Sequence, residues 1–103
     1  MNLLTIKNKT IMKTLPQKIV EVDNEGLISL LGEMVLIFCF NYFYYGKLEG
    51  VNESCIKLSG VYQVFETGAF NDSKFKDAQK FADEWYIQNS AIESFGKSFK
   101  ATL

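Results

Sequence analysis

Tyr42, Tyr44 and Tyr45 crowd between Asn41 and Gly46, and this short segment is the best suited in the chain to hold a ligand. Each phenol offers a flat face for stacking and a hydroxyl for hydrogen bonding. Asn41 adds an amide, and Gly46, lacking a Cβ, lets another group approach the backbone. Aromatic faces in this density suit a nucleobase, which every base can satisfy through its own π-face. The same rings would equally serve to close a barrel or to cover an interface between protomers. A second candidate stretch runs from Glu66 to Asp72 and presents Thr67, Phe70 and Asp72. Loops carried by a rigid scaffold are where binding groups concentrate, while a plain connection ending in an N-cap at Asn71 or Asp72 explains the same residues without a ligand. Asn89, in a turn with Ser90, completes the candidate ligand-binding set.

Catalytic chemistry finds little support. The chain contains no His, and all 11 of its basic residues are Lys. It therefore lacks both the side chain that titrates near neutrality and the planar fork that grips phosphates bidentately. No clustered metal ligands, no nucleophile beside a base and no glycine-rich phosphate loop occur, so no catalytic residue, metal or cofactor is assigned and a non-enzymatic role is expected. Cys39 and Cys55 lack the spacing of a zinc or redox motif and read as reduced packing residues.

Charge separates the chain into two parts. Lys7, Lys9, Lys13 and Lys18 precede the first acid, Glu21, which leaves seven Lys against twelve acids in residues 19–103. An acidic body without Arg argues against reading DNA. Lys74, Lys76 and Lys80 are interleaved with Asp72, Asp77, Asp83 and Glu84, the pattern of a solvated mixed-charge face. The most apolar run, Met34 to Tyr45, is far shorter than the roughly 20 residues a spanning helix needs and contains Asn41, so no membrane segment is expected. A bacterial cytoplasm is the expected location.

These groups need a frame. At 103 residues and 15% aromatic, the chain can build one core but carries more large rings than that core readily hides, which points to rings in a pocket or an interface. Residues 1–16, ending at the only proline, read as a flexible basic leader, and residues 17–103 as a single small domain. Gln17 to Val22 predicts a short strand or one helical turn. A helical turn over Leu27, Ile28, Leu30 and Leu31, capped by Asp23 or Asn24 and stopped at Gly32, should follow. From Glu33 the alternation predicts one long strand to Tyr45, with Val35, Ile37, Cys39, Phe43 and Tyr45 on one face and Met34, Leu36, Phe38, Phe40, Tyr42 and Tyr44 on the other. Lys47 to Val51 resumes it after Gly46, Asn52-Glu53-Ser54 turns the chain, and Cys55 to Glu66 forms a third strand with a bulge at Ser59-Gly60. Phe75, Ala78, Phe81 and Ala82 recur at helical spacing and predict a short helix over residues 74–83. Glu84 to Gln88 and Ala91 to Phe95 read as two final short strands, with Trp85 and Phe95 as core rings. The expected class is mainly β: a small five-stranded antiparallel barrel with a short helix inserted before the last two strands.

Gly46-Lys47-Leu48-Glu49-Gly50-Val51-Asn52 with Ile56-Lys57-Leu58, and Ala91-Ile92-Glu93-Ser94-Phe95-Gly96, resemble the two motifs of the Sm-like or SH3-like small barrel. That resemblance implies a homo-oligomer and, in one branch, a ring that binds RNA. Tyr42-x-Tyr44-Tyr45-Gly46, Val64-Phe65-Glu66-Thr67-Gly68-x-Phe70 and Ala91-Ile92 also look like a group of short bacterial and phage proteins. Since phage-encoded small barrels include sponges for nucleotide immune signals, this likeness implies capture of a small nucleotide-type ligand in an anti-defence role. A protein-interaction module directed at a host protein, an RNA-binding ring and a small nucleotide hydrolase stay open as alternatives.

Overall fold

The computed structural model describes residues 24–100, which are mainly β. The leader and the Gln17–Val22 segment lie outside the described residues, as does Asp23. After Gly26, at φ 79°, Leu27–Leu30 form one 3₁₀ turn, and Gly32 at φ 86° ends it. Five strands follow: β1 (Met34–Cys39), β2 (Phe43–Val51), β3 (Cys55–Glu66), β4 (Asp77–Gln88) and β5 (Ile92–Lys97). They form one antiparallel sheet in the order β4-β3-β2-β1-β5, so β4 and β5 are the outer strands.

The sheet is apolar on both sides, as its long Val-, Ile- and Tyr-rich strands require. One cluster joins Val35, Ile37, Cys39, Leu48, Ile56, Leu58, Val61 and Ile87, with Leu27, Leu30 and Tyr44 packed against it. The other joins Leu36, Tyr45, Val64 and Phe75, flanked by Phe38, Phe43, Tyr62 and Ala78. The first is the interior of the bent sheet. The second lies on the outer face, where the 67–76 loop folds back and lays Phe75 against Tyr45 at 5.1 Å between ring centroids.

Two sequence expectations give way here. The long strand to Tyr45 is instead a hairpin: the chain reverses over Phe40–Tyr42, where the Cys39 N–H donates to the Tyr42 carbonyl at 2.9 Å. Phe38 then faces Phe43, Ile37 faces Tyr44 and Leu36 faces Tyr45. The reversal exchanges the faces expected beyond it, so Tyr44 joins the interior while Phe43 and Tyr45 join the outer side. The helix over residues 74–83 is also absent, because β4 begins at Asp77 and runs for 12 residues. Its apparent helical spacing comes from a bulge. Tyr62 pairs with Lys80 and Val61 with Ala82, which leaves Phe81 as the extra residue. The bulge reverses the pleat, sending Ala78 outward and Ala82 inward, and three- and four-residue spacings result.

Gly26, with no side-chain cap bond, takes the N-cap position of the 3₁₀ turn in place of the expected Asp23 or Asn24, and no helix follows Asn71 or Asp72 for either to cap, but the Asn52 turn and the Gly60 bulge hold as read. The Asn52 Oδ1 accepts from Ser54 N–H at 2.8 Å, Ser54 Oγ at 3.0 Å and Cys55 N–H at 2.9 Å, the self-bonding that makes Asn a turn former. Gly60 sits in a bulge of β3 at φ 57°. Gly46 lies opposite that bulge, and a Cβ there would stand 3.0 Å from the Ser59 carbonyl oxygen. The group that Gly46 admits is therefore the neighbouring strand's own backbone.

Candidate functional site

The β1–β2 turn and the end of β4 meet at a cleft of about 310 Å³. Phe40, Asn41, Tyr42 and Tyr44 form one wall, Trp85 to Gln88 the other, with Cys39 and Ala91 between them. Rings run across it in sequence: Tyr42 to Tyr44 at 6.4 Å, Tyr44 to Phe81 at 5.9 Å and Phe81 to Trp85 at 4.9 Å. Tilted and edge-on contacts at these separations are those that ring quadrupoles favour. Phe81 takes its place in the row because the β4 bulge turns it there. Tyr42 is 51% exposed, Trp85 44% and Tyr86 62%, so their faces are available to a ligand.

Among the described residues no charged side chain lines the cleft. Lys57 reaches the Tyr86 ring at 5.8 Å but is paired with Glu84 at 3.4 Å, and Lys80 is paired with Asp83 at 3.0 Å. Burial pushes the Cys39 thiol above its ordinary value. Burial, then the neighbouring Cys39 and Tyr42, does the same to the Tyr44 hydroxyl; Tyr45 rises through burial and then Tyr62. In the unfolded chain these three acids ionise at their ordinary values, about 8.5 for Cys and about 10 for Tyr, before they can in the fold. Their stabilising contribution is complete below that window and is lost as pH rises through it toward the raised folded values. The urea midpoint is therefore expected to fall as pH rises past about 9, and Tyr44→Phe should make the fall shallower. An unchanged slope in that variant would remove Tyr44 from the account.

The expected ligand residues are divided by the sheet. Asn41, Tyr42 and Tyr44 line the cleft. Asn89 lies in an adjoining cavity that shares Tyr86 and Gln88 with it; its Nδ2 donates to the Asn52 carbonyl at 2.9 Å, and its Oδ1 is buried without a hydrogen-bond partner among the described residues. Tyr45 stands on the outer face, 5% exposed between Phe75 and Tyr62. Thr67, Phe70 and Asp72 belong to the loop on that same outer side. The Thr67 Oγ1 donates to the Gly68 carbonyl at 3.2 Å, and Phe70 stacks edge-on against Phe99 at 5.7 Å. The cavity this loop borders has no residue in common with the tyrosine cleft.

Trp85 and Phe95, expected in the core, are 44% and 42% exposed. Phe40, Trp85 and Tyr86 are the aromatic residues of the cleft lining that sequence reasoning left out, together with Phe81, which joins Tyr44 to Trp85 in the ring row. The closeness of Phe81, Trp85 and Tyr86 was the available signal, and reading residues 74–83 as a helix separated Phe81 from the strand that carries the other two.

Lys100 anchors the outer loop. It is 2% exposed, and its Nζ donates to the carbonyl oxygens of Ala69 at 2.7 Å, Asp72 at 2.8 Å and Lys74 at 3.2 Å. The ammonium also lies 5.9 Å from the Phe75 ring centroid. Its charge is thus met by carbonyl dipoles and a ring face, which is how an ammonium can be tolerated away from water.

Among the described residues no group of three or more Cys, Asp or Glu side chains is placed to hold a metal ion, and no helix is long and apolar enough to cross a membrane. No protein-family model matches the chain, and no curated protein is significantly similar to it.

Proposed function

We propose that this protein is a non-enzymatic binding protein whose cleft captures a small nucleotide-type ligand by stacking its base among Tyr42, Tyr44 and Trp85. The observation that carries this reading is the ring row bordering a cavity of about 310 Å³. That size falls at the lower end of the roughly 300–1,000 Å³ typical of small-molecule sites. Stacking on aromatic side chains contributes about 1–3 kcal/mol per base, enough for a useful share of affinity without Arg. The ligand set of this reading is Asn41, Tyr42 and Tyr44 together with Trp85. The sequence resemblance extends the reading to a homo-oligomer in a bacterial cytoplasm, with a nucleotide immune signal as the captured species. The two outer strands, β4 and β5, give such an assembly edges to pair.

Trp85 is the only tryptophan, so its emission reports directly on the cleft. Titrating nucleotides against the protein should quench it saturably. Tyr44→Ala should weaken binding by about 10- to 100-fold, whereas Thr67→Ala on the outer face should leave it unchanged. Equal binding by wild type and Tyr44→Ala, both folded, would refute stacking in this cleft.

A second reading rests on β4, an outer strand of 12 residues that exposes Phe81, Trp85 and Tyr86. In it, the aromatic strand docks on a host protein. Recovery of one stoichiometric partner, lost with Tyr86→Ala while nucleotides fail to quench Trp85, would favour it.

A further inference from the structure

The geometry points to a cleft that takes the uncharged nucleoside end of its ligand and leaves any phosphate in solvent. This rests on the reading of the cleft as a base-stacking site and specifies which part of the ligand is recognised. Three observations lead to it. Among the described residues no charged side chain lines the cleft. Lys57 on β3 and Lys80 on β4 are already matched, by Glu84 and Asp83, so a phosphate at the rim would meet carboxylates as readily as these ammonium groups. The polar side chains that do line it, Asn41 and Gln88 beside the Tyr hydroxyls, are neutral amides. Amides both donate and accept, and they pair with base edges, adenine N6 and N7 above all.

A phosphate forced into such surroundings would lose water without gaining a cation, a cost that ionised groups offset only when paired. Base recognition, by contrast, needs only ring faces and an amide. The volume of about 310 Å³ suits a single base with its sugar. A ligand with two bases would have to present them one at a time or to two copies of the chain.

The test compares adenosine with adenosine 5′-monophosphate, read by quenching of Trp85 in the full chain between about 50 and about 200 mM salt. The two are expected to bind within about twofold of each other, with little change across that range, and Lys57→Ala should alter neither. A monophosphate that binds about tenfold or more tightly, with affinity falling steeply as salt rises, would overturn the inference while leaving base stacking in place. Selective loss of monophosphate binding in Lys57→Ala would do the same. Saturable binding of neither compound would overturn this inference together with the proposed function.

Discussion

Lys100→Met should lower the stability of the fold by roughly 2–4 kcal/mol, a large effect for a surface-loop anchor. The methionine keeps the bulk of the stem but leaves the carbonyls of Ala69, Asp72 and Lys74 without their shared donor. A hydrogen bond to a charged group contributes about 1.5–3 kcal/mol, and the three share one ammonium, so the sum is less than three independent bonds. Relief of the buried charge offsets part of the loss. The urea midpoint measures the total. Amide exchange should localise it, with protection falling first in residues 67–76 and in the strand segments beneath Phe75. Lys100→Arg should not rescue, because a planar fork cannot direct its donors at three carbonyls gathered around a point charge. An unchanged midpoint in Lys100→Met would mean that water serves those carbonyls equally well.

Leu58→Ala is the second large effect. Leu58 is fully buried in the interior cluster and lies directly across from Trp85 in the β3–β4 register. Truncating a buried leucine removes transfer energy and leaves a cavity, at a cost of about 2.7–5 kcal/mol. Small domains have only about 5–15 kcal/mol in hand, so chemical denaturation should show a much reduced midpoint. Because the lost side chain supports the strand that carries Trp85, the emission of Trp85 should also shift to the red in the native state. Stability lost with the emission unchanged would show that the cleft wall is held from elsewhere, through Phe81 and Tyr44.

The parts of this architecture written in local chemistry were legible. Asn52 turns the chain by bonding its own backbone, Gly60 marks a bulge, and the Asn89-Ser90 pair separates the last two strands; each needs only near neighbours in sequence. The hairpin at Phe40–Tyr42 was hidden because aromatic residues on both sides of Asn41 continue the β pattern without a break. The helix over residues 74–83 was a false reading produced by one extra residue, Phe81, which gives a strand the spacing of a helix. Half of the cleft went unseen for a different reason: Glu84 to Gln88 reads as a strand from sequence, but a large apolar ring such as Trp85 is most simply placed in the core, and tertiary packing leaves it exposed instead. The role of Lys100 is beyond local reading altogether, as the carbonyls it binds lie 26 to 31 residues earlier. Thr67, Phe70 and Asp72 were grouped with the tyrosines by composition, and the sheet that parts them is a tertiary fact.

Tyr44 and Tyr45 are neighbours in the chain, yet one borders the cleft and the other is sealed under Phe75. The length of the Phe40–Tyr42 turn sets which is which. One residue gained or lost there would slide the whole of β2 by a step and trade the two tyrosines' duties, turning Tyr44 away from the cleft in the same stroke that draws Tyr45 out from under Phe75. Descendants of this sequence can thus explore new ligands by changing which rings stand at Tyr42, Tyr44 and Trp85, but insertion and deletion in the turn are closed to them as a route.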